Sequence, residues 1–254
     1  MARKATRKRP VRPARPSRIE AFNLRVGRYL AGKYEVEGLL GAGWEGEVYK
    51  VVERRTGITC AAKLFFPHRN ERDRSVKMYA RKLDRLRDCS LVIRYHSSEA
   101  LWHRGQRVSC LISEFVEGEL LSDLIESQPG GRLTPFEALH LIHALTAGLE
   151  QIHLAREYHG DIHPENVMVR RRGIAFDLKL VDFFHHSLPK ADMFREDIVS
   201  VIHLLHTAVG GRDRYAKAPR VIKGICRGLR RDLIARKFPT AGHLRRHLES
   251  FPWR

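Results

Sequence analysis

His159-Gly160-Asp161-Ile162-His163-Pro164-Glu165-Asn166 is the stretch on which the reading of this chain turns. It sets a carboxylate and an amide five positions apart, in a segment that glycine and proline keep from becoming helix. Asp182 follows sixteen positions after Asn166, at the end of the apolar run Leu178 to Val181. Each of these residues alone reads as a turn former. Together they supply oxygen atoms of the kind that hold a hard divalent cation beside a reacting hydroxyl, which is what phosphoryl transfer needs.

Toward the N-terminus, Gly41-Ala42-Gly43-Trp44-Glu45-Gly46-Glu47-Val48 lies between two strand-like runs, where glycines let the backbone turn tightly and approach phosphate oxygens. Glycine hairpins without a ligand are common, so the loop gains meaning from its context. Fifteen residues after Val48, Cys60-Ala61-Ala62-Lys63-Leu64-Phe65 places a lysine among apolar neighbours. Unless Lys63 snorkels to the surface, its ammonium wants an anion, and nucleotide phosphates would provide one.

Around these segments the runs Tyr34 to Leu40, Val48 to Val52, Thr59 to Phe65, Ala100 to Trp102 and Val108 to Ile112 predict antiparallel strands. Val76, Tyr79, Leu83 and Leu86 recur at helical spacing and predict one helix, from about Ser75 to Arg87. From Thr134 the character changes. Thr134-Pro135-Phe136-Glu137 offers an N-cap, a proline at the first helical position and a reciprocal glutamate, so a long helix to about Leu154 follows. A strand pair at Val167 to Val169 and Leu178 to Val181 comes next, then helices from Asp197 and from Arg220.

The 254 residues carry 47 Lys+Arg against 29 Asp+Glu, a formal charge of +18, with 43% hydrophobic side chains. That composition excludes a wholly disordered or fibrous chain. Residues 1–19 hold eight of the bases, three prolines and no acid, and read as an unfolded basic tail. Setting those eight aside leaves 39 bases against 29 acids, so the folded part is cationic too, and the tail either attracts an acidic protein or nucleic acid or is a solvated segment that aids solubility. No apolar run reaches the length of a membrane span, and the N-terminus lacks the apolar stretch of a secretory signal, so the expected setting is cytoplasmic, without membrane contact. Cys60, Cys89, Cys110 and Cys226 are far apart and read as reduced, mostly buried thiols.

In the order glycine loop, strand lysine, Asp-x-x-x-x-Asn and strand-end aspartate, the chain resembles the protein kinase superfamily over nearly all of Tyr29 to Leu248, in its compact, bacterial serine/threonine form. The resemblance implies an α+β bilobal fold: an antiparallel N-lobe with one helix over residues 20–114 and a mainly helical C-lobe over 115–254. It also implies ATP and Mg²⁺ or Mn²⁺ as cofactors and a protein hydroxyl as acceptor. By position, Leu40 and Val48 would flank adenine, with Gly41, Gly43, Gly46 and Lys63 on the phosphates. Ser113 would be the gatekeeper before the hinge Glu114-Phe115-Val116, and Glu119, one position out of register, would reach ribose. Asp161 would be the catalytic base, Asn166 and Asp182 the metal ligands, Asp197 the brace under the catalytic loop and Arg236 the late C-lobe arginine.

The departures matter as much. The strand lysine of the family pairs with a glutamate on the following helix, yet Met78 to Leu83 contains no acid. Asp84 is the nearest candidate, with Glu71 or Asp73 if the helix begins early. The usual Asp-Phe-Gly is Asp182-Phe183-Phe184. Only fifteen positions separate Asp182 from Asp197, with the single hydroxyl Ser187 between them, and Gly160 stands where an arginine would bind a loop phosphate. Switching by loop phosphorylation is therefore not expected. The His-Gly-Asp-x-His-Pro pattern is similar to aminoglycoside and choline phosphotransferases, and His163 either contacts the γ-phosphate or packs the loop. A small-molecule kinase and a nucleotide-binding pseudokinase scaffold thus stand as alternatives. The pairs His140/His143 and His203/His206 and the doublet His185-His186 lack an identifiable third ligand and are not read as a zinc site. Arg170-Arg171-Arg172 either extends a cationic face beside the site or is a solvated turn.

Overall fold

The structure is a computed structural model that describes residues 18–173, 175–183 and 189–251. Its first half is an antiparallel sheet. β1 (Tyr29–Leu30), β2 (Tyr34–Ala42), β3 (Gly46–Glu53) and β4 (Thr59–Phe65) follow one another, and after helix α1 (Arg74–Arg85) come β5 (Tyr95–His103) and β6 (Gln106–Glu114). β6 inserts beside β4, giving the order β1-β2-β3-β4-β6-β5. Along β4, Cys60, Ala62 and Leu64 are buried against Val36, Tyr49, Val51 and Ile112. The period of two then turns Lys63 to the other face, opposite Val48 on β3 and Leu111 on β6.

Most of the expected tail, residues 1–17, lies outside the described residues. Its last expected member does not behave as tail: Ile19 is buried in the sheet core with Phe22, because an apolar side chain beside the sheet has surface to cover.

α1 begins where Asn70 Oδ1 accepts from the backbone N–H groups of Ser75 and Val76, at 3.0 and 3.2 Å. Its apolar face, Val76, Tyr79 and Leu83, joins Leu145, Leu149, Leu180 and Phe183 in the larger core, so this helix ties the sheet half to the helical half.

The second half contains β7 (Glu119–Leu120), α2 (Leu121–Ser127), α3 (Pro135–Leu154), β8 (Val167–Arg172), β9 (Ala175–Leu180) and α4 (Lys190–Ala208). α5 (Gly211–Tyr215), α6 (Arg220–Cys226), α7 (Arg231–Lys237) and α8 (Ala241–Glu249) complete it. The capping box forms as its residues require: Thr134 Oγ1 accepts from Glu137 N at 3.2 Å, and Glu137 Oε2 accepts from Thr134 N at 3.0 Å. β7, β8 and β9 make a small antiparallel sheet that carries the stretch His159 to Asn166 into the strand before Asp182.

One helix start is corrected. Asp197 does not open its helix; α4 begins at Lys190, on the proline Pro189, and Asp197 sits buried in its middle. In the sequence a polar residue inside a buried helix face resembles a helix start, whereas here it accepts hydrogen bonds from the loop backbone. Among the described residues no helix is long and apolar enough to cross a membrane. All four cysteines are free and buried.

Candidate active site

Lys63, carried by the inner face of β4, finds two carboxylates. Its Nζ lies 3.2 Å from Glu45 Oε2, on the glycine turn, and 2.9 Å from Asp182 Oδ1, at the end of the β9 segment. The ammonium also sits 4.7 Å from the centre of the Tyr79 ring. Burial alone would drive the proton off Lys63; Tyr79, Asp182 and Glu45 outweigh it and hold the pKa above the usual lysine range. For Asp182 burial would raise the pKa, and Lys63 outweighs it, so the carboxyl is held below its usual range.

This corrects the expected pairing. Asp84 is exposed and pairs with Arg87 at 3.2 Å, Asp73 binds Arg107 at 2.8 Å and Ser109, and Glu71 is exposed in the turn before α1. Tyr79, inside the window Met78 to Leu83, is the α1 residue that faces Lys63, with its hydroxyl 3.4 Å from Asp182 Oδ1. An aromatic side chain in that place offers a ring face rather than a charge, so the acid comes from the glycine turn instead.

The stretch His159 to Asn166 is held from beneath. Asp197 accepts from the N–H groups of His159 and Gly160, each at 2.8 Å, and lies 3.1 Å from His153 Nε2. The His159 ring bridges two segments, with Nε2 2.9 Å from the Val181 carbonyl and Nδ1 accepting from Asp161 N at 3.2 Å. Asn166 donates through Nδ2 to the Asp161 carbonyl at 2.9 Å and to Asp161 Oδ2 at 3.3 Å. His163 is partly exposed and brings Nε2 to 3.5 Å from the same Oδ2. Asp161 itself is exposed.

Asp182 takes a positive φ of 55°, a conformation that aspartate tolerates better than bulky residues do. The following Phe183 is buried, 4.6 Å from the His159 ring and 6.4 Å from the Tyr79 ring. That anchoring leaves the Asp182 side chain 50% exposed at the cleft. Because Asn166 spends its amide nitrogen on Asp161, its amide oxygen is the atom left to face a cation. An amide oxygen and a half-exposed carboxylate suit Mg²⁺ or Mn²⁺.

Around them the glycine turn divides into one constrained and two unconstrained positions. A Cβ on Gly46 would lie 1.8 Å from the Leu64 carbonyl oxygen, whereas one on Gly41 or Gly43 would meet nothing within 4 Å. Leu40, half exposed, is the extra residue of a bulge between Leu39 and Gly41, and Gly41 pairs with Val48. Ser113 is buried on β6. Glu114 turns its carboxylate to Lys179 and to Arg94 N, both at 3.1 Å, and Val116 packs on the larger core. Glu119 is exposed at the start of β7, opposite Val169.

Several sequence candidates lie apart. Arg170 pairs with Glu117 and Asp177 at 3.1 and 3.2 Å, and Arg171 with Glu137 at 2.5 Å, which spends much of that cationic run on local acids. His143 bonds Glu249 at 3.0 Å, the His206 ring lies 5.0 Å from Tyr215, and no metal-ligating cluster occurs among the described residues. Arg236 is exposed on α7, while its neighbour Arg231 pairs with Glu196. Phe184, His185, His186 and Ser187 lie outside the described residues. Sequence reasoning missed Glu45 and Tyr79 as partners of Lys63. Glu45 was visible inside the glycine stretch, but nothing local says that the β2–β3 turn folds its acid back over β4.

The chain is similar to several known proteins. The family model of the protein kinase domain matches residues 34–216. A putative cyclin-dependent kinase F-2 of Oryza sativa subsp. japonica is 31% identical over 154 residues, 59% of this chain and 46% of the relative. A probable serine/threonine-protein kinase of Streptomyces coelicolor is 30% identical over 61% of this chain and 23% of its own length. The serine/threonine-protein kinase PknA of Mycobacterium tuberculosis is 27% identical over 63% and 36%. The chain therefore spans less than half the length of each of these relatives. The crystal structure of the Mycobacterium tuberculosis PknI kinase domain superposes with a TM-score of 0.61 at 20% identity, covering 89% of this chain and 97% of that one, which establishes a shared bilobal α+β fold.

Proposed function

The chain belongs to the protein kinase domain family, and on that premise we propose that it is an ATP-dependent serine/threonine protein kinase that phosphorylates a protein hydroxyl. The observation that carries the reading is the meeting of Lys63 and Asp182, 119 positions apart in sequence and 2.9 Å apart in space, beside a braced Asp161–Asn166 pair. A phosphotransferase needs that set in one cleft, because its chemistry is positioning and electrostatics rather than covalent catalysis.

In this reading the Asp161 carboxylate orients the acceptor hydroxyl and receives its proton. Asn166 fixes that carboxylate through its amide N–H at 3.3 Å, and Asp197 fixes the loop backbone through two N–H groups at 2.8 Å. Lys63 and the Gly41, Gly43 and Gly46 turn position the nucleotide phosphates, Leu40 and Val48 cover adenine, the Glu114 to Val116 backbone offers hinge contacts and Glu119 reaches ribose. Asn166 and Asp182 would hold Mg²⁺ or Mn²⁺, which would supply positive charge to the nucleotide phosphates. His163, beside Asp161, adds positive charge to the same edge when protonated. With Gly160 in place of an arginine, activity is constitutive rather than switched by a loop phosphate.

We place the protein in the cytoplasm, where ATP is available and thiols such as its four free, buried cysteines stay reduced. The basic segment before Arg18 is proposed to recruit an acidic protein or nucleic acid. The decisive test incubates the protein with γ-labelled ATP and Mg²⁺ or Mn²⁺, alone and with a generic protein acceptor. Label should enter protein, and Asp161→Ala and Asp182→Ala should each cut incorporation by about 10²-fold or more. Incorporation retained by both variants defeats the assignment, and transfer to an aminoglycoside or choline but not to protein moves the acceptor class.

A further inference from the structure

α1 presents a second face that the proposed reaction does not use. Arg74, Lys77, Arg81, Lys82 and Arg85 recur at three- and four-residue spacing and line one wall of an open cavity of about 750 Å³. Glu157, Tyr158 and Lys190 from the helical half line the other wall, and Glu71 and Arg72 come from the turn before the helix. None of Lys63, Asp161, Asn166 or Asp182 lines it.

Seven basic side chains thus share this space with two acids. One of the acids is already taken: Glu157, itself buried, receives Arg85 at 2.5 Å and Lys190 at 3.5 Å. Arg72, Arg74, Arg81 and Lys82 form no ion pair among the described residues. Lys82 is the sharpest case. It is 7% exposed, and its ammonium is held 4.3 Å from the centre of the Tyr158 ring and 5.1 Å from that of Phe183. Burial lowers its pKa to about 8, with Glu157 and Asp197 only partly offsetting it. A buried ammonium that touches ring faces and forms no ion pair among the described residues, at the wall of a cavity rich in guanidinium groups, has room for a further anion.

We propose that this cavity binds a multiply phosphorylated small molecule, a compact anion with at least two phosphoryl groups. Carboxylates bring one charge each on a bulky backbone, whereas a phosphoryl group brings nearly two charges and three acceptor oxygens, which match arginine forks on α1 and the point charge of Lys82. The volume, about 750 Å³, accommodates several such groups. The site does not depend on the phosphotransferase reading.

The test is calorimetric titration of the full chain with inorganic tripolyphosphate, without metal and at about 150 mM salt to suppress diffuse attraction. Arg74→Gln/Arg81→Gln, two exposed positions, should weaken binding about tenfold or more. Lys82→Met should weaken it as well, with the melting curve checking that the variant folds. The charge-matched tail pair Arg7→Gln/Arg9→Gln and the exposed α5 pair Arg212→Gln/Arg214→Gln, whose residues do not line the cavity, should bind as the parent does. The proposal is overturned if tripolyphosphate does not bind, if either control loses affinity as the α1 pair does, or if an acidic hexapeptide binds as tightly as tripolyphosphate. Label transfer that is retained without α1-dependent tripolyphosphate binding, or such binding without label transfer, separates failure of one reading from failure of the other.

Discussion

The carboxylate of Glu45 lies 3.2 Å from the ammonium of Lys63, so the glycine turn supplies an acid that the helix behind the sheet does not. The second acid on Lys63, Asp182, has another task in the proposed reaction as a metal ligand. Glu45 is then the carboxylate that keeps Lys63 aimed into the cleft. Glu45→Gln should lower kcat/KM for ATP about tenfold, or about 1.4 kcal/mol, chiefly through KM, while Asp84→Asn changes neither constant. Steady-state kinetics over an ATP series checks this, and an unaltered KM in Glu45→Gln would make the ion pair incidental.

Tyr79 acts through its ring more than its hydroxyl, since the ring centre is 4.7 Å from Lys63 Nζ while the hydroxyl reaches Asp182 only at 3.4 Å. Tyr79→Phe should leave stability within about 1 kcal/mol of the parent, and Tyr79→Ala should cost about 3–5 kcal/mol by opening a cavity against Phe65 and Phe183. Urea unfolding of the two variants separates the contributions. Equal losses would mean that the hydroxyl carries the site.

Of the three glycines in the turn, Gly46 alone has its missing side chain pressed on backbone, 1.8 Å from the Leu64 carbonyl oxygen. Gly46→Ala should force β3 away from β4 and destabilise by about 1–3 kcal/mol, with a drop in melting temperature. Gly41→Ala and Gly43→Ala should melt with the parent. A Gly46→Ala protein as stable as the parent would show that the strand pair moves apart at no cost.

His159 predicts an acid-sensitive loop. Its two partners require opposite roles: Nε2–H donates to Val181 O and Nδ1 accepts from Asp161 N, a pattern only the neutral ring satisfies. Burial pushes its pKa below the usual histidine range, despite the nearby Asp197. The unfolded chain therefore takes up a proton near pH ~6.5 that the folded ring resists, and stability falls as pH drops below that value. Melting temperatures from about pH 7.5 to 5 should decline more steeply for the parent than for His159→Gln. His68, His103, His206 and His247 are also lowered, so the difference between the two curves is the measurement that counts. Parallel curves would remove His159 from this role.

The fold was legible where local chemistry is strong. β4 spans Thr59–Phe65 and α3 ends at Leu154, as the apolar run and the Thr134–Glu137 box predict. α1 came within two residues of its expected limits, because its buried stripe is unambiguous. Asp197 was legible by order along the chain, but not as a mid-helix residue, since a buried acceptor inside a helix leaves the same polar interruption as a helix start. Ile19 was swept into the tail because its neighbours are basic, and only the sheet core shows that it is needed. The basic stripe of α1 was present in the residues, yet a charged helix face usually means solvent. It becomes a cavity wall only when Glu157 and Tyr158 are folded opposite it.

By itself the linear order of residues determined the α+β, two-lobed architecture and singled out Lys63, Asp161, Asn166 and Asp182 as the expected site, because strand alternation, helix caps and tight turns are local and those motifs stand in a fixed order along the chain. Tertiary structure decided who neutralises whom. Glu45 rather than Asp84 reaches Lys63, Tyr79 takes the place of a charge, and Lys82 is buried with no ion pair among the described residues. Ion pairing depends on distances of a few ångströms between segments remote along the chain, and such distances exist only after the sheet, α1 and the catalytic loop have packed together.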